Sequence, residues 1–177
     1  MARKPSLPLF NLGRGLALTH PRGHKPTVDE VRKRLGGRAS TESGAGELVL
    51  LTTPGGDELP GVVLFVAGDE LDVWVEQPGT QVTIALGGGV VRRARRADVS
   101  PLRSLPSKDL LGVASDARVF AGLLEGQRIR YQAGDTLGEG TLVEKCRYGA
   151  LVEREDGAIL GVGFRRLWPA QAPRDQN

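Results

Sequence analysis

The chain has little with which to do chemistry: one cysteine, Cys146, and two histidines, His20 and His24, in 177 residues. A single thiol excludes an internal disulfide and fits a reducing compartment such as the cytoplasm. The histidines are four apart, but Pro21 and Gly23 prevent a helix from presenting both to one ion. With one distant cysteine and no clustered carboxylates beside them, no metal site is expected. Acid–base and triad mechanisms have equally little to draw on. There is no Gly-x4-Gly-Lys-Ser/Thr loop, no Gly-x-Gly-x-x-Gly opening a helix and no Gly-x-Ser-x-Gly elbow. Cys146 precedes Arg147, a neighbour that favours a thiolate, but a small buried core side chain is its expected role. These shortages point to a non-enzymatic protein without a cofactor. No apolar run approaches the roughly 18 residues that span a bilayer, so no membrane partner is expected. Asn11 and Arg14 break the Leu7-Pro8-Leu9-Phe10 stretch before it resembles a signal peptide.

What is present is glycine (25) and proline (11), which favour many tight turns over long helices. Hydrophobic residues at 40% and charged residues at 25% call for ordered globular regions. The net charge of +3 is unevenly spread. Residues 1–46 carry nine Lys/Arg against three acids, residues 47–102 four against eight, and residues 124–177 eight against eight. The basic character therefore belongs to the N-terminal arm, whose first 28 residues contain no acid. Organellar transit peptides share that trait, but a cytoplasmic protein with a basic arm is the simpler reading.

The arm, residues 1–46, mixes Pro, Gly, Arg and scattered apolar residues without period and is expected to be disordered until bound. One short helix is predicted over residues 27–35: Thr27 is the N-cap, Glu30 completes a capping box, and Gly36-Gly37 stops it. Val28, Val31 and Leu35 would share one face. Residues 36–46 read as a linker. From Glu47 the texture becomes that of strands. Leu48–Leu51 and Gly61–Val66 are apolar runs, and Leu71, Val73 and Val75 alternate with Asp72, Trp74 and Glu76. Val82, Ile84 and Leu86 alternate again, and Val90-Val91 opens a last strand. Residues 47–102 thus form a first small barrel. Residues 103–123 read as a linker with one helical turn at Ser115–Gly122. In the second barrel, residues 124–170, strands are expected at 127–131, 141–144, 150–153 and 159–164. Residues 171–177 are a polar tail. The halves look like copies of one unit with a period of about 75–80 residues. Gly61-Val-Val-Leu-Phe-Val matches Gly140-Thr-Leu-Val-Glu-Lys, and Leu71–Glu76 is set against Tyr148–Glu153.

The run Leu124-Glu-Gly-Gln-Arg-Ile-Arg-Tyr, followed by Gly138-Glu-Gly-Thr-Leu-Val-Glu-Lys and Gly149-Ala-Leu-Val-Glu-Arg-Glu-Asp-Gly, resembles SH3-like barrels of the KOW and Tudor type. Residues 47–102 look like a more diverged copy with a longer third hairpin. The resemblance implies a mainly β chain with two small antiparallel barrels in tandem, of a kind that often binds RNA, DNA or peptides. It transfers no catalytic residue.

Arg92, Arg93, Arg95 and Arg96 place four guanidiniums in five residues, enough to grip phosphates by bidentate hydrogen bonds or to form a solvated barrel edge. The stretch also superficially resembles the Arg-x-x-x-Arg of PilZ domains. The following Asp98-Val99-Ser100 lies too close, and Arg103 replaces a required glycine, so the match is a coincidence. Trp74 faces away from Val73 and Val75; it either stacks on a base or packs under the linker or the other barrel. Tyr131 and Tyr148 border a ligand face or cap the barrel, and Trp168 belongs to a core. Two functional expectations follow. The first is contact with an RNA or DNA backbone through the arm (Arg3, Lys4, Arg14, Arg22, Lys25, Arg32, Lys33, Arg34, Arg38) and the Arg92–Arg96 cluster, with Trp74 or Tyr131 stacking. The second is an adaptor or structural subunit of a larger protein assembly, with arm residues Leu7, Leu9, Phe10, Leu12, Leu16 and Leu18 threading into a partner.

Overall fold

The computed structural model describes residues 27–39, 45–76 and 89–170, and the backbone of residues 10–11. Strand β1 (Phe10–Asn11) is followed by helix α1 (Val28–Arg34), whose start is the capping box foreseen at Thr27 and Glu30. The first unit consists of β2 (Leu48–Thr52), β3 (Glu58–Ala67), β4 (Glu70–Glu76), β5 (Gly89–Arg95), a 3-10 turn at Arg96–Asp98 and β6 (Val99–Pro101). Helix α2 (Lys108–Gly122) leads to the second unit. That unit contains β7 (Arg128–Ala133), β8 (Thr136–Lys145), β9 (Gly149–Glu153), β10 (Ile159–Gly163), a 3-10 turn at Phe164–Arg166 and β11 (Leu167–Pro169).

The chain is mainly β, with two antiparallel five-stranded sheets of the same topology. Their orders are β5-β4-β3-β2-β6 and β10-β9-β8-β7-β11, with β1 added in parallel beside β10. In each, a ten-residue second strand carries one bulge, at Leu64 and at Val143, three residues after Gly61 and Gly140. The second strands therefore match as expected, but the third strands match two residues away from the sequence pairing. Val63 faces Val73 and Leu142 faces Val152, so Val73 corresponds to Val152 rather than Ala150. Neither sheet closes on itself, since β5 and β6 do not pair and neither do β10 and β11. The strand foreseen at Val82–Leu86 lies outside the described residues. β5 opens at Gly89, beside the expected Val90-Val91, and runs on through Arg95, and β6 and β11 are short strands.

Two boundaries differ from the sequence reading. The linker's single helical turn is a fifteen-residue helix, capped by Ser107, whose hydroxyl accepts from Leu110 N–H. Its buried side, Leu110, Val113, Ala114, Ala117 and Phe120, packs between Val62, Leu64 and Trp74 of the first sheet and Ile129, Phe164 and Leu167 of the second. One apolar cluster therefore runs through both units, while Val49, Leu51, Val63, Leu71, Val73 and Val75 form a second cluster within the first. This explains why Gly61–Val66 is continuously apolar: β3 is covered on both faces. The second difference concerns the arm. Helix α1 buries Val31 and Leu35 against Cys146 and Leu151 of the second unit, and Arg38 bridges to Cys146. Val28 stays exposed, so the apolar face is narrower than expected. The chain thus starts on the second unit, builds the first, and returns through α2.

Candidate nucleic-acid interface

The site grows from the seam between the units. Strand alternation places Leu71, Val73 and Val75 on one side of β4 and Asp72 and Trp74 on the other. The second unit covers that other side, so a strand expected to be half-buried is buried on both faces. Asp72 becomes a carboxylate of which only 3% is exposed. Burying an ion requires partners. Tyr148 Oη donates to Asp72 Oδ2 at 3.1 Å, Arg147 Nη1 lies at 3.5 Å, and Arg93 Nε is 3.6 Å from Oδ1. The Arg147 guanidinium also stands 4.8 Å over the Phe65 ring. Burial first, and then the Asp72 charge and hydrogen bond, push the Tyr148 hydroxyl up to about 12.

Around this buried clamp lie two open grooves that share Arg93. One, of about 430 Å³, is lined by Asp29, Arg32, Lys33, Gly36, Gly37, Arg93, Arg147 and Tyr148. The other, of about 360 Å³, runs along β5 from Arg92 to Arg95 and across to Thr52, Thr53, Pro54, Glu70 and Asp98. Gly36 is required beneath the first: its φ is +88°, and a Cβ there would stand 2.7 Å from the Tyr148 ring. Together the walls carry six cations (Arg32, Lys33, Arg92, Arg93, Arg95, Arg147) and three acids (Asp29, Glu70, Asp98). Arg32 is partly committed, since its Nε donates to Glu144 Oε2 at 2.6 Å and it also pairs with Asp29; the Glu144 bond chiefly raises its pKa. Among the described residues the side chains of Lys33, Arg92 and Arg95 make no ion pair.

The sequence-predicted residues fare differently. Arg92 to Arg96 do not form one patch, because β5 alternates. Val90, Arg92 and Ala94 stand opposite Val75, Val73 and Leu71, while Arg93 and Arg95 stand opposite Asp72 and Glu70 on the other face. Arg96 begins the 3-10 turn, where its guanidinium reaches Gly68 O at 3.5 Å. Arg32 and Lys33 join the groove, and Arg34 lies on α1 outside its lining. Arg3, Lys4, Arg14, Arg22 and Lys25 lie outside the described residues. Trp74 and Tyr131 are corrections. Trp74 is 0% exposed and packs with α2, and Tyr131 is 5% exposed, its ring covering Gly138 across the strand pair, so neither can stack on a base. Arg147 was missed: the sequence shows it only as a residue after Cys146, and its placement depends on the two units meeting.

Cys146 is buried, and burial together with the Glu144 charge pushes its thiol up to about 12, which suits a core residue rather than a nucleophile. Among the described residues no group of His, Cys, Asp and Glu could hold a metal ion, and no helix is long and apolar enough to cross a membrane. Compared with models of known protein families and with curated proteins, the chain has no match.

Proposed function

We propose that the protein is a non-enzymatic, nucleic-acid-associated binding protein of the cytoplasm that grips phosphates with its arm and with the β5–α1 surface. The observation that carries this reading is that Arg93, which shares its face of β5 with Arg95, also lines the groove walled by Arg147 and Lys33, giving one basic track. The units are proposed to be SH3-like barrels of the KOW or Tudor type. The strand order, with the first strand between the second and the last, and the 3-10 turn before the last strand support that assignment. The track has a lining excess of only three positive charges, so the arm, with five basic residues and no acid before Thr27, supplies most of the attraction.

The test compares the full chain with a variant in which Arg3, Lys4, Arg14, Arg22 and Lys25 are all glutamine, using generic RNA and DNA over a range of salt. Each phosphate neutralised contributes about 0.9 to the slope of log K against log salt, so the variant should lose a slope of about 4.5 on duplex DNA. Binding that ignores both salt and the arm charges would refute the mechanism.

A second reading, an adaptor that docks on other proteins, is supported by β1: Phe10 and Asn11 pair in parallel with Gly161 and Val162. An arm segment that adds a strand to its own chain has the chemistry to add one to a partner's sheet. A fixed-stoichiometry complex that survives nuclease treatment would favour it.

A further inference from the structure

We infer that the ligand of the basic track is a nucleic-acid duplex read through its phosphates, not a single strand. The inference deepens the nucleic-acid reading above and rests on it. Its first ground is the fate of the aromatic rings. Single strands are held by stacking bases on exposed rings. The chain has eight Phe, Trp and Tyr residues, of which all but Phe10 have described side chains. None of those seven is exposed: Phe65, Trp74, Phe120, Tyr131 and Phe164 are buried, and Tyr148 and Trp168 are half-buried. Among the described residues Tyr148 is the one ring in the groove wall, and it is held over Gly36 with its hydroxyl donated to Asp72. Among the described residues the track therefore offers bases no exposed ring.

The second ground is stiffness. Arg93 and Arg95 stand on one face of a paired strand about 7 Å apart, from about 3.3 Å per residue, and Lys33 stands on a helix docked through Val31 and Leu35. Fixed cations suit a backbone whose phosphates are already fixed, whereas a flexible strand must lose conformational freedom to match them. Phosphate contacts of this kind position a duplex without reading its sequence.

The experiment uses the full chain and fluorescence anisotropy with a 20-base-pair DNA duplex, the same duplex as RNA, and each single strand. The variant Lys33→Gln/Arg95→Gln removes two exposed cations of the track that make no ion pair among the described residues. Lys108→Gln/Arg103→Gln removes two exposed cations outside the track. The duplexes should bind at least tenfold tighter than the single strands. The Lys33/Arg95 variant should lose about tenfold or more near 0.1 M salt, with a slope smaller by about 2, while the control pair changes much less. Equal affinity for the two duplexes, or a preference for one, upholds the inference and tells DNA from RNA. Single strands binding as tightly as duplexes would overturn it and leave the nucleic-acid reading standing. An equal loss in the control pair would overturn the placement on the track. No binding to any of these probes would overturn both readings.

Discussion

Replacing Asp72 tests the seam most directly. In Asp72→Ala, Tyr148 Oη loses its acceptor at 3.1 Å and the Arg147 guanidinium, whose side chain is 28% exposed, loses the carboxylate at 3.5 Å. A charge-assisted hydrogen bond is worth about 1.5–3 kcal/mol. Breaking a buried pair on one side costs about 3–5 kcal/mol, and the partial exposure of Arg147 brings the expected loss to the lower end, about 3 kcal/mol. Arg93, with 60% of its side chain exposed, adds little. Asp72→Asn keeps the shape and an acceptor, so it should cost about half as much. It should also lower the Tyr148 pKa, because the negative charge that helps to hold the proton is gone, while burial keeps it above 10. The assay is urea unfolding followed by the fluorescence of Trp74, which is buried at the same seam. Absorbance titration of the phenol supplies the second readout. A single transition is expected because one apolar cluster spans both units. A loss under about 0.5 kcal/mol in the alanine variant, or an unchanged phenol titration in the asparagine variant, would refute the clamp.

Two further expectations concern stability. The Cys146 thiol and Tyr148 hydroxyl, with ordinary values of 9.0 and 10.0, are both pushed up to about 12, so the folded state holds these protons more tightly than the unfolded one. Their contribution is fully present below pH 9 and is lost as pH rises from 9 to 12, on the order of 3 kcal/mol after allowance for partial solvation; urea midpoints that stay flat over that window would contradict it. Lys145 Nζ donates to the carbonyls of Phe120, Ala121 and Leu123 at the end of α2, so Lys145→Met should cost about 1–3 kcal/mol in urea unfolding. Lys145→Arg should recover part of that loss, and a methionine variant as stable as the parent would show that the cap is idle.

Much of the strand pattern was legible because each strand leaves a local mark. Gly61 and Gly140 announce matching second strands, and Leu71, Val73 and Val75 announce one face of β4. What the sequence could not show was who covers the opposite face. Trp74 reads as outward-facing from alternation alone, and it is outward from its own sheet; α2 and the second unit make that outside an inside. Helix α2 was under-read because Gly112 interrupts its first half, although Pro106-Ser107 before Lys108 was a usable start signal. The arginine cluster was legible as charge and not as geometry: a strand sends neighbouring side chains to opposite faces, so four arginines in five residues divide. Arg147 enters the site through a contact 75 residues away, from Arg147 to Asp72, which no local window contains.

The docking of α1 on the second unit has a consequence for how the chain is made. Leu35 meets Leu151 only after 116 further residues have been added, the whole first unit among them. At about 5–20 residues per second, the helix leaves the ribosome some 6–23 seconds before its resting place exists. A seven-residue helix is marginal in water without that support. During synthesis Val31 and Leu35 therefore wait uncovered beside the basic arm, and they can be buried only once Cys146 and Leu151 have emerged.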